Sequence, residues 1–150
     1  MARGYMAINA GPLIAFTIAS VSLTYLRTRR GRNTICKQLK SRPLILGPSE
    51  RGSIENAIRE TCQIRKWDLR ACNVRTNHVH AVVTANRQAD LVLNSLQANA
   101  TRQLRQDKLW LHPFSPWAHK GSKILLWTEQ SVANAIDYVL NGQGQNLPKI

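Results

Sequence analysis

No acidic residue occurs before Glu50, and the whole chain of 150 residues holds only 8 Asp and Glu against 21 Lys and Arg. That scarcity leaves a formal net charge of +13 and a pI near 10.7. Such a field draws polyanions, nucleic acid first and an anionic membrane surface second; a solvated basic surface without a specific partner is the plainest alternative. Cysteine is also sparse. Cys36, Cys62 and Cys72 are odd in number, far apart and form no CxxC pair, which excludes a zinc knuckle and a disulfide framework. They fit a reduced cytoplasmic setting as three small apolar side chains. No internal repeat is visible, and the length suits one compact domain with a workable core.

Charge is missing altogether from residues 4–26, after which Arg27, Arg29, Arg30 and Arg32 follow. The run imitates a membrane span with a positive flank, but Asn9, Pro12, Thr17, Ser20, Ser22 and Thr24 interrupt it, and Gly11-Pro12 reads as a turn. Arg3 alone makes a thin charged region for a signal peptide. No membrane partner is expected. Leu13–Ile18 reads instead as a strand, and residues 27–48, with Gly31, Pro43, Gly47 and Pro48, as loop or disorder.

From there the pattern is regular. A helix starts near Pro48-Ser49-Glu50 with Ser49 as cap, and buries Ile54, Ala57, Ile58, Thr61 and Cys62. Leu69–Arg75 and Asn77–Ala85 read as antiparallel strands joined by a tight turn. Asp90–Lys108 reads as a helix with Val92, Leu96, Ala100 and Leu104 on its buried stripe. Residues 112–122 form a loop, Lys123–Trp127 a short strand, and Thr128 caps a last helix that Gly142 stops. The order strand-helix-strand-strand-helix-strand, plus a helix, predicts an α+β sandwich of ferredoxin type, an antiparallel sheet with helices on one face and a C-terminal helix beside it.

The chemistry concentrates in Asn77-His78-Val79-His80-Ala81-Val82-Val83-Thr84-Ala85. Period two puts His78, His80, Val82 and Thr84 on one face. The two imidazoles stand about 7 Å apart by strand rise, a ready metal clamp. On the last helix Val132, Ala135, Ile136, Val139 and Leu140 form the apolar stripe, with Tyr138 about 130° from its centre. Each residue alone is ordinary. Together they suggest metal-assisted attack of a tyrosine on a phosphodiester. The covalent phosphotyrosine keeps the bond's free energy, so a cut strand can be rejoined. Asn141 and Gln143 are candidates for a third ligand.

Asn77-His78-Val79-His80 with Tyr138 resembles the HUH single-tyrosine transposases of bacterial insertion sequences, including the REP-associated tyrosine transposases. Further echoes are Ala57-Ile58-Arg59-Glu60, Asn73–His80, Ala100–Arg105, Trp117–Ser122 and Ala135–Gly144. The resemblance covers roughly residues 44–146, within a single domain whose residues 1–43 are atypical. It implies a ferredoxin-like fold, a divalent cation (Mg²⁺ or Mn²⁺), single-stranded hairpin-bearing DNA as partner, and a homodimer as an option. It also implies a 5′-phosphotyrosine intermediate with a free 3′-hydroxyl. His78 and His80 become metal ligands and Tyr138 the nucleophile. Arg75, Arg102, Arg105, Lys108, Trp117, His119 and Lys120 become DNA-binding residues. The family's third ligand often lies four residues after the tyrosine, where this chain has Gly142, so the expectation moves to Gln143. A Trp-Leu-Pro-Gly-Asp-like loop after the first strand is missing too. A frameshift over about residues 17–40 accounts for that, for the absent acids and for the arginine run, and implies a defective copy that keeps its catalytic residues. Two other functions compete: a nucleic-acid-binding module without catalysis, using Arg102, Arg105, Lys108, Lys120, Trp117 and Trp127, and a small basic membrane-anchored protein.

Overall fold

The computed structural model describes residues 45–117 and 121–142, and the backbone of residues 13–19. Its elements are β1 (Leu13–Ala19), α1 (Pro48–Arg65), β2 (Asp68–Val74), β3 (His78–Thr84), α2 (Ala89–Gln106), β4 (Ser122–Leu126) and α3 (Glu129–Asn141). The sheet order is β2-β3-β1-β4, with every neighbouring pair antiparallel. This is the βαββαβ sandwich that the element order predicted, with α3 appended. The charge-free N-terminal run therefore contributes a central strand: Leu13–Ala19 pairs with β3 on one side and β4 on the other. Among the described residues no helix is long and apolar enough to cross a membrane. The remainder of that run, and most of the proposed frameshifted stretch, lie outside the described residues.

Both faces of the sheet are covered. On one face Val79, Ala81 and Val83 of β3 pack with Ile54, Ile58, Val92, Leu96 and Leu104 of α1 and α2. On the other, Val82, Ala71 and Leu126 pack with Val139, Val132, Ala135 and Ile136 of α3. Helical spacing builds each stripe and strand alternation builds each sheet face, so burying apolar area on both sides holds the three layers together. Leu140 does not join: it is 55% exposed, because the true contact stripe is narrower than the sequence pattern.

Two local features differ from expectation and matter for the site. The cap of α1 is Gly47, with Pro48 in the first turn and no side-chain cap bond; Ser49 already lies inside the helix. Proline's fixed φ suits that opening position. In β2 the register skips a residue between Leu69 and Ala71, so Arg70 is bulged out. A bulge reverses the alternation beyond it. Leu69, Cys72 and Val74 consequently face α1 and α2, while Ala71 faces α3, and Asn73 becomes the register partner of His80. The cap of α3 is as expected: Thr128 Oγ1 accepts from Ser131 N at 3.1 Å, and Thr128 N donates to Ser131 Oγ at 3.2 Å, a reciprocal capping box.

Candidate active site

His78 and His80 sit on the α3 side of β3, as alternation requires, with ring centroids 4.6 Å apart and planes at 80°. Asn77 Oδ1 lies 2.6 Å from His78 Nδ1. An amide oxygen can only accept, so Nδ1 carries the proton and Nε2 the lone pair a metal would use. His80 is 7% exposed. Burial, then the nearby His78 and Arg75, push its pKa down to about 4, so it is neutral at neutral pH. A neutral imidazole is the form that ligates.

Tyr138 arrives from the other layer. Its ring centroid is 5.7 Å from that of His80, with planes at 82°, and the side chain remains 54% exposed. Without Leu140 the buried stripe of α3 recentres, placing Tyr138 about 110° from it at 100° per residue. That angle is the flank of the helix, from which a long ring reaches the rim of the sheet. Asn73 fixes the approach, donating from Nδ2 to the Val139 carbonyl at 2.8 Å. Val139 itself is buried against the sheet. Gly142 completes the arrangement: a Cβ there would lie 2.7 Å from Tyr138 Cδ2, so the ring's position depends on the missing side chain.

Arg75 lies in the connection before β3, its N–H donating to His78 O at 2.8 Å, and its charge reaches His80. The other expected DNA-binding residues lie elsewhere. Arg102 and Arg105 line a surface groove of about 680 Å³ with Gln97, Thr101, Ser115 and Trp117, on the α2 layer across the sheet from the histidines. Trp117 is a core residue: it is 8% exposed and its indole N–H donates to Gln97 O at 2.9 Å and Thr101 Oγ1 at 2.8 Å. It is therefore not an open platform for bases. Arg105 Nη2 donates to Pro113 O at 3.0 Å and His112 O at 3.3 Å, and so braces a loop. Lys108 is exposed just past α2, with φ of 59°. Asn141 Nδ2 donates to Asp137 Oδ1 at 2.8 Å. Gln143, His119 and Lys120 lie outside the described residues.

As a metal centre the residues fit in part. Two imidazoles share a face, His80 neutral and His78 oriented by an amide, which suits a divalent cation. Among the described residues no group of three His, Cys, Asp or Glu completes the set. Sequence reasoning missed Asn73 and the role of Asn77. Asn77 was adjacent to the pair and legible; Asn73 was hidden by the bulge at Arg70.

The chain matches no known family pattern and no curated protein. Solved structures do match. One is a REP-associated tyrosine transposase bound to a REP hairpin, with 16% identity, TM-score 0.56, and coverage of 93% of this chain and 70% of that one. Another is a candidate transposase from Deinococcus radiodurans R1, with 13% identity, TM-score 0.56, and coverage of 94% of this chain and 97% of that one. The fold is thus that of tyrosine transposases, as the sequence resemblance implied.

Proposed function

We propose that this chain is a DNA strand transferase of the HUH single-tyrosine kind, cutting and rejoining single-stranded DNA through Tyr138. One observation carries the reading: the Tyr138 ring stands edge to face with His80 at 5.7 Å, although one belongs to the sheet and the other to the helix packed on it. The likeness to a transposase bound to a DNA hairpin and the net charge of +13 support a hairpin-bearing single strand as substrate. In the reaction the Tyr138 oxygen attacks phosphorus and loses its proton to solvent. The bond from phosphorus to the 3′-oxygen breaks, and that oxygen takes up a proton as the free 3′-hydroxyl. A 5′-phosphotyrosine remains, and attack by a 3′-hydroxyl reverses the step. His78 and His80, with Gln143 as third donor, would hold Mg²⁺ or Mn²⁺, which when bound neutralises charge on the scissile phosphate. Asn77 orients His78, burial keeps His80 unprotonated, and Asn73 with Gly142 sets the position of the Tyr138 ring.

The test uses the full chain and a hairpin oligonucleotide labelled at its 3′ end, with Mg²⁺ or Mn²⁺. Wild type should form a labelled covalent adduct that survives denaturing electrophoresis; Tyr138→Phe and His80→Ala should not. An adduct on Tyr138→Phe would remove the assigned nucleophile. A binding module without catalysis is the second reading, favoured by Gly142 standing where the resembling family carries a ligand. It predicts tight single-strand binding by wild type with no adduct at all.

A further inference from the structure

The loop after α2 carries a ring cluster that no step above uses. Trp110 is 7% exposed and anchors it, with its ring 4.6 Å from that of His112 at 64° and 5.6 Å from that of Phe114 at 83°. His112 and Phe114 stack on each other at 5.0 Å with planes only 19° apart. The outer rings stay at the surface: His112 is exposed and Phe114 is 41% exposed. The loop is held from beneath, since Trp110 Nε1 donates to Phe114 O at 2.8 Å and Arg105 gathers the His112 and Pro113 carbonyls. Planar rings presented this way have already met their ordering cost.

A chain of contacts places the cluster at the histidine end of the sheet. Asp107, at the end of α2, accepts from Ser53 Oγ near the start of α1 at 2.7 Å. Just before α1, Leu46 N donates to Thr76 O at 2.6 Å, two residues from His78. Arg105 touches the cluster's loop, and Arg102, Arg105 and Lys108, all exposed, lie along the last turns of α2 and just past it, with Asp107 as the neighbouring acid. Arg75 lies at the same end, beside His80. Stacked aromatic faces among cations fit a planar base on a phosphate backbone better than an apolar protein partner.

We propose that the His112–Phe114 stack is a base-stacking subsite for an unpaired nucleotide of the same DNA strand that Tyr138 cleaves, braced by Arg105 and anchored by Trp110. The assignment rests on the single-strand reading above and names a contact that reading does not contain.

The full chain is mixed with hairpin oligonucleotides carrying 2-aminopurine at successive positions of their single-stranded flanks. Wild type should quench the fluorescence at one flank position. His112→Ala and Phe114→Ala should abolish that quench and weaken single-strand binding about 5- to 150-fold, the range of one lost base–aromatic stack. Phe114→Tyr and His112→Phe should preserve both, because any aromatic face suffices. Affinity for a blunt duplex, which offers no unstacked base along its length, should not change. Thermal unfolding checks each variant; should Phe114→Ala lose its fold, His112→Ala, with its exposed ring, still decides. No quench at any flank position, or wild-type affinity in the folded alanine variants, would overturn the subsite. The two proposals fail separately. Quenching and ring dependence without any Tyr138 adduct sinks the transferase and keeps the subsite. An adduct with ring-independent binding does the reverse.

Discussion

The side-chain amide of Asn73 reaches across layers to the backbone carbonyl of Val139 at 2.8 Å, 66 residues away. Asn73 is the register partner of His80, and Val139 follows Tyr138 in the chain. One hydrogen bond therefore ties the strand beside the histidines to the helix that carries the tyrosine.

Removing that tie should separate positioning from binding. Asn73→Ala loses one partly buried hydrogen bond and leaves the Val139 carbonyl to water, costing about 1 kcal/mol in denaturant unfolding. Adduct formation at saturating DNA should fall about tenfold, since small misplacement of a nucleophile is expensive. DNA affinity should change little. Equal adduct rates in both proteins would show that α3 is held by packing alone.

Gly142→Ala tests the same alignment from the helix end. The backbone there has φ of −84°, which alanine adopts readily, but the new Cβ would also stand 3.0 Å from Tyr138 Cα and O, so a modest loss of stability is expected. The new methyl would stand 2.7 Å from Tyr138 Cδ2, so the ring must turn. The expected result is a cooperative melting curve at slightly lower temperature, with adduct formation reduced several-fold. A variant as active as wild type would show that the observed ring position is not required.

His80 gives a pH dependence with a definite sign. Its pKa is held at about 4, against an ordinary 6.5, so between those values the unfolded chain binds a proton that the folded chain refuses. Stability should therefore fall as pH drops from 6.5 toward 4, by at most about 3 kcal/mol, and be unaffected by this group above pH 7. Urea unfolding of wild type and His80→Gln, both in chelator, should show a steeper acid loss for wild type. Parallel curves would mean that His80 is as easily protonated as a free histidine.

Metal binding should depend on both rings. Mn²⁺ titration of wild type against His78→Ala and His80→Ala should show at least tenfold weaker binding in each variant, and Asn77→Ala should weaken it less, by releasing the orientation of His78. Equal binding by all four proteins would dismiss the clamp.

The basic residues should differ in salt response. Releasing counterions makes affinity for single strands fall linearly with salt on logarithmic axes, by about 0.7 per phosphate contact. Arg75→Ala should lower that slope and also let His80 protonate more easily, because Arg75 is one cause of its low pKa. Arg102→Ala should lower the slope alone. An unchanged slope in Arg75→Ala would remove Arg75 from the DNA path.

Periodicity alone determined much of this protein. The alternation of residues 77–85 determined that His78 and His80 share a face, since side chains on a strand have no other choice. The helical spacing of Ile54, Ala57, Ile58, Thr61 and Cys62, and of Val92, Leu96, Ala100 and Leu104, determined which stripes are buried. The element order determined the sandwich. Tertiary structure alone decided the rest, because it turns on contacts between residues distant in sequence. A one-residue bulge at Arg70 decided that Asn73, rather than Cys72, meets the histidine face. The narrower true stripe of α3 decided that Leu140 is exposed and that Tyr138 reaches His80. Partners offered by α2 decided that Trp117 is core, because Gln97 and Thr101 satisfy its indole where a sequence pattern shows only an aromatic in a loop. Local spacing fixes the face a side chain takes; only the packed layers fix what stands opposite it.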